Sequence, residues 1–65
     1  REEVLENKAL ELAERVVQEQ RDEVMEPMSA LERRVVHMAL RDYDGVVTHS
    51  EGREPYRRIV ISPKE

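Results

Sequence analysis

Apolar residues recur at three- and four-residue steps through the start of the chain: Leu5, Ala9, Leu12, Ala13 and Val16, with Leu10 and Val17 widening the stripe. That is the period of a helix buried along one side. Glu, Gln, Lys and Arg fill the remaining positions, no glycine or proline intervenes, and most residues are good helix formers. The pattern predicts a first helix from about Arg1 to Gln20, its charged side solvated.

The pattern then changes. In RDEVMEPM, Arg21 to Met28, Val24 and Met25 stand between acidic residues and Pro27 disfavours helix at Glu26. A short strand fits, at a sheet edge or as a crossing segment, because so few apolar residues cannot fill a central position. From Ser29 to Arg41, SALERRVVHMALR, a second helix puts Leu31, Val35, Met38 and Ala39 on one face at the spacing of a buried stripe. Arg33, His37 and Arg41 recur every four residues on the opposite face, with Arg34 beside them. Ser29 and Glu32 stand in the order of a capping box, and Gly45 can take the positive φ that closes the turn after Asp42.

Val46 to Ser50 and Tyr56 to Ser62 read as strands, the second strongly through Ile59, Val60 and Ile61. EGREP joins them as a hairpin, and Pro63 to Glu65 ends the sheet. The order is α-β-α-β-β, an α+β fold. If the first two strands are parallel and bridged by the second helix, the third sits between them, antiparallel to both. The result is a three-stranded antiparallel sheet with both helices packed on one face and the other face open.

At 65 residues the chain is one small domain, burying only about 60% of its unfolded surface. It has no cysteine, so neither a disulfide framework nor a thiolate metal site supports it. No metal or other cofactor is expected. Its apolar runs are too short for a membrane span or a signal peptide. A secreted chain this small would ordinarily need cross-links, which favours a cytoplasmic home. The chain starts at Arg1, already in helical pattern, and is read as a fragment of a longer protein.

The net charge of −4 alone argues against a nucleic-acid partner. The average conceals a division. Residues 1–32 carry four Lys/Arg against ten Asp/Glu, whereas residues 33–65 carry seven against five. The cations gather where a partner can meet them.

Three groups carry candidate chemistry. Arg33 and His37 lie one turn apart, where a guanidinium and an imidazole can grip one phosphate. Arg57 and Arg58 open the last strand, and alternation sends them to opposite faces, leaving open which one meets a ligand. In the hairpin, Ser50-Glu51-Gly52 offers a hydroxyl, amides and close backbone approach. Taken alone, the Arg33–His37 pair reads more simply as a solvated helix face and the hairpin as an ordinary polar turn.

Together the residues are more specific. ERRVVHMAL followed by THSEGREPYRRIVISPK resembles the R-three-H domain, a single-stranded nucleic-acid-binding domain named for its Arg-x-x-x-His signature. The longer stretch from Glu26 to Lys64 is similar to the C-terminal domain of bacterial Jag-type proteins, the SpoIIIJ-associated RNA-binding proteins. The resemblance implies the fold reached above from periodicity. It also implies a binding surface at Arg33, His37, Ser50, Glu51, Gly52 and Arg57 or Arg58, to which the cationic helix face adds Arg34 and Arg41, and a KH domain preceding this one in the full protein. The implied partner is single-stranded RNA, with single-stranded DNA left open and no membrane insertion.

With no Phe or Trp and only Tyr43 and Tyr56, stacking is limited and phosphate contact should dominate. A phosphodiester-cleaving set of Arg33, His37, His49 and Glu51 is the catalytic alternative. It lacks paired carboxylates at metal spacing and an activated nucleophile, so no enzyme is expected. A protein-interaction module, acting through the acidic first helix or the open sheet face, is the other alternative. The resemblance links that role to cell elongation, division or membrane-protein insertion.

Overall fold

A computed structural model describes residues 2–65. Five elements follow in the expected order: α1 (Glu2–Glu19), β1 (Glu23–Val24), α2 (Ala30–Leu40), β2 (Val46–Glu51) and β3 (Arg58–Pro63). Arg1, the expected first residue of α1, lies outside the described residues.

The α1 stripe packs as its period requires. Ala9, Leu12, Ala13 and Val16 are buried, while Leu10 and Val17 sit at the margin. The helix ends at Gln20, which takes a left-handed φ of 57°. Gln20 donates twice to the last turn, its amide to the Val16 carbonyl at 2.8 Å and its side-chain Nε2 to the Val17 carbonyl at 2.9 Å. These bonds satisfy carbonyls that a helix end otherwise leaves open.

β1 is the short edge strand that its sparse apolar content predicts, pairing Glu23 with Ile61 and Val24 with Val60. The sheet order is β1-β3-β2, with β3 antiparallel to both neighbours. β3 begins two residues later than Tyr56, whose amide donates to the Arg53 carbonyl within the hairpin at 2.6 Å. Pro63 ends the central strand opposite Val46.

Ile59 and Ile61 are fully buried among Leu12, Val16, Val36 and Leu40, so both helices cover one face of the sheet. The opposite face is less open than alternation implies. Val60 points to it but is only 3% exposed, because the central strand places it between Val24 and His49.

The capping box forms: the Glu32 amide donates to Ser29 Oγ at 3.2 Å, and the Ser29 amide donates to Glu32 Oε1 at 3.0 Å. Ser29→Ala is expected to cost about 1 kcal/mol. A thermal melt followed by circular dichroism should show the midpoint roughly 4–8 °C lower.

The expected buried stripe of α2 is a correction. Val36 and Leu40 point inward with Arg33, whereas Leu31 is 73% and Met38 54% exposed. Val35 and Ala39 fall between, half-buried at the helix margin. The helix is rotated from the expected phase, so Arg33 leaves the solvated face and His37 lies at its border with the sheet. Tyr43 donates to the Leu40 carbonyl at 3.0 Å just beyond the helix, and Gly45 turns the chain into β2 at φ 92°. A Cβ at Gly45 would stand 3.1 Å from the Val17 side chain, a second reason for glycine there.

Candidate nucleic-acid interface

Strand parity builds the site. Val46 is buried against the helices, so Thr48 and Ser50, two and four residues on, share its face of β2 and line up beside α2. Thr48 Oγ1 and His37 Nδ1 are 2.7 Å apart and share a hydrogen bond. Ser50 Oγ accepts from Arg57 Nε at 3.1 Å. Arg57 also donates through Nη1 to the Gly52 carbonyl at 2.6 Å and through Nη2 to the Ser50 carbonyl at 3.5 Å. A continuous polar ridge results, running His37, Thr48, Ser50, Arg57, Gly52.

Arg33 lies beneath this ridge. Its side chain is only 10% exposed. Nη1 donates to the Met28 carbonyl at 2.6 Å, and Nη2 donates to Glu54 Oε2 at 2.6 Å, with Nη1 also 3.5 Å from Glu54 Oε1. The guanidinium thus ties the segment before α2 to the hairpin tip. Its hydrogen bond and charge, aided by the Arg57 charge, hold the Glu54 carboxyl below its ordinary range. Arg33 supplies positive potential to the ridge while its donors are engaged within the fold.

Burial first, then the charges of Arg33 and His49, hold the His37 imidazole below its ordinary 6.5. The folded domain therefore takes up this proton less readily than the unfolded chain. Stability is undiminished above 6.5 and falls as pH drops from there through the lowered folded value. The Glu54 contribution behaves separately: it is present above 4.5 and lost as pH falls through its depressed value. A melt series from pH 7.5 to 5.5 should show a falling midpoint that His37→Asn flattens. An equal slope in that variant would assign the effect to another group.

Apart from Arg33, the expected site residues divide among three places. His37, Ser50, Gly52 and Arg57 converge on the ridge, and Arg41 follows one turn along α2 in a groove that shares His37 and Thr48 with it. Glu51 and Arg58 pair across the strands on the opposite sheet face. There Glu51 Oε2 meets His49 Nε2 at 2.8 Å, and Arg58 Nη1 donates to the Tyr56 carbonyl at 3.2 Å. Arg34 lies on the α1 side of α2, among Glu2, Glu6 and Leu31.

Two contributors were not among the expected residues. Thr48 was readable as the hydroxyl two positions before Ser50 on the same strand face. Glu54 carried no signal, because a glutamate in a polar turn is ordinary.

Among the described residues, no group of His, Asp and Glu is placed to hold a metal ion, and no helix is long and apolar enough to cross a membrane. What the arrangement offers is oriented N–H and O–H donors on a cationic base. It is a small α+β module with a polar ridge between its second helix and an edge strand.

The family model of the R-three-H domain matches residues 3–63, and the chain belongs to that family. Among curated proteins, it is 44% identical over 64 residues to the RNA-binding protein KhpB of Clostridium symbiosum, covering 98% of this chain and 29% of that protein. It is 44% identical over 61 residues to the RNA-binding protein KhpB of Streptococcus pneumoniae, covering 94% of this chain and 19% of that protein. The chain therefore spans less than a third of the length of these relatives.

Proposed function

We propose that this chain is the single-stranded RNA-binding module of a longer Jag-type protein in the cytoplasm, with a KH domain elsewhere in the full chain. The observation that carries the reading is the convergence of His37, Ser50 and Arg57, from α2, β2 and the approach to β3, on one ridge. Its donors suit phosphate oxygens: the imidazole Nε2, the Ser50 hydroxyl and the outer N–H groups of Arg57. The two family relatives named RNA-binding proteins support the ligand class. The role read here is binding, the class that the names of those relatives support.

A lone domain with two or three phosphate contacts binds weakly, and tethering to a second module multiplies its contribution. The direct test is a fluorescence titration with a short labelled single-stranded RNA. With about three contacts, raising salt from about 50 to 200 mM should weaken binding roughly 20-fold, following a slope near −0.7 per contact. Salt-independent binding would rule out a phosphate ridge.

The pH response of binding runs opposite to that of stability. A bound phosphate favours imidazolium, so affinity should rise from pH 7.5 to 6 in the parent domain and stay level in His37→Asn. Affinity that is flat in both would remove charged His37 from the contact.

A second reading has its own observation: Leu31 and Met38 are exposed on α2 with Arg34 between them. A protein partner of the full chain that docks there would be lost in Leu31→Ser, which lies outside the ridge, while RNA binding persists. Loss of RNA binding in that variant, with the fold retained, would count against two separate surfaces.

A further inference from the structure

The hydrogen-bonding phase of β2 is set by three contacts. Lys64 donates to the Gly45 carbonyl at 2.9 Å, which places the bonded pairs of the β2–β3 ladder at odd-numbered β2 residues. On the far side of β3, Met25 donates to the Ile59 carbonyl at 2.9 Å, so Ile59 turns its backbone groups toward β1 and away from Ser50. The Ser50 carbonyl, in turn, accepts from Arg57 outside the ladder. The amides and carbonyls of Val46, Thr48 and Ser50 therefore face the free edge of the sheet.

That edge is one wall of a groove of about 610 Å³, within the roughly 300–1,000 Å³ of small-molecule sites. The other wall is the C-terminal half of α2, with His37, Met38 and Arg41, and Tyr43 lies at the turn between them. Arg41 and Lys64 are balanced by Asp42 and Asp44 on the same lining. The groove thus has no net charge for a phosphate, although it opens directly onto the cationic ridge through His37 and Thr48.

We propose that this groove is a base-binding site, which takes the nucleobase adjacent to the phosphate held by His37 and Arg57. The proposal rests on the phosphate reading of the ridge. Thr48 presents an N–H donor and a C=O acceptor side by side, matching the neighbouring acceptor and donor on the Watson–Crick edge of an unpaired base. The Tyr43 ring and the Met38 side chain supply apolar contact for the base plane. A peptide strand is the poorer occupant. With the Ser50 carbonyl taken by Arg57, only Val46 and Thr48 offer complete backbone pairs, enough for one base and short for strand addition.

The test is an amide-shift titration by nuclear magnetic resonance, using triadenylate and an abasic trinucleotide carrying the same phosphates. The expected result has two parts. Triadenylate binds about tenfold more tightly, from one stacked and bonded base, and it alone moves the Val46 and Thr48 amides and the Tyr43 ring signals. Both ligands move the Ser50, Gly52 and His37 signals. Equal affinities and equal shifts at Val46 and Thr48 overturn the base site while leaving the phosphate ridge standing. Failure of both trinucleotides to bind at low salt overturns the phosphate reading and the base site with it. If the Val46 and Thr48 amides shift on concentrating the protein alone, the edge pairs with a second copy and the proposal fails.

Discussion

Arg33→Ala is expected to destabilise the domain by about 2–3 kcal/mol, through loss of a charged hydrogen bond to a backbone carbonyl and of the packed side-chain stem. For a domain of this size the melting midpoint should fall by roughly 10–20 °C. The side chain is 10% exposed and its guanidinium spans the Met28 carbonyl and the Glu54 carboxylate, so it joins the segment before α2 to the hairpin tip. None of the figure is assigned to the exposed carboxylate, which water resolvates once the arginine is gone. Arg33→Lys should recover little, since one ammonium cannot replace a fork that reaches two partners at once. Small domains hold only about 3–5 kcal/mol in reserve, so this variant will have an unfolded fraction at ordinary temperatures and an apparent RNA affinity reduced accordingly. The discriminating measurement is a melt beside a titration at low temperature. A variant as stable as the parent that has lost RNA would make Arg33 a direct ligand contact, contrary to its burial.

The residue first in the Arg-x-x-x-His signature is buried and bonded within the fold, and hydropathy alone pointed the other way. LERRVVHMAL contains two candidate inward phases. One runs Leu31, Val35, Met38, Ala39 and is wholly apolar. The other runs Arg33, Val36, Leu40 and starts on a charge. Local pattern favours the first, yet the chain buries the second. The deciding term is tertiary: the Met28 carbonyl and Glu54 lie where Arg33 can satisfy its guanidinium, so the cost of its burial is met. Partners five and twenty-one residues away leave no trace in helical periodicity.

Local features were legible where their causes are local. The Ser29–Glu32 capping box, the unbroken stripe of α1 and the turn at Gly45 each depend on residues a few positions apart. The sheet order followed from the sparse apolar content of β1 and the rich content of β3. The choice between Arg57 and Arg58 required the register. Once Ile59 and Ile61 face the helices, Arg57 shares their side and reaches Ser50, while Arg58 shares the face of Glu51 and Val60.

That division of arginines leads to the second large effect. Arg57→Ala is expected to weaken RNA binding at least about tenfold, and Arg57→Ala/His37→Ala to take it out of the measurable range, in line with charged hydrogen bonds worth about 1.5–3 kcal/mol each. A guanidinium has five N–H donors. Arg57 commits Nε to the Ser50 hydroxyl and one hydrogen on each Nη to the Gly52 and Ser50 carbonyls. The second hydrogen on each Nη completes the fork, held in orientation by the internal bonds before a ligand arrives. Lysine lacks that fixed geometry, so Arg57→Lys should keep the charge and lose most of the affinity. Arg34→Ala and Arg58→Ala remove the same charge from other faces and should change affinity little beyond a modest long-range effect that disappears at higher salt. The slope of affinity against salt separates contact from field: it should become shallower by about 0.7 in Arg57→Ala and by much less than that in Arg58→Ala. The reverse ranking, with Arg58 dominant, would move the RNA to the opposite face of the sheet and dismiss the ridge altogether.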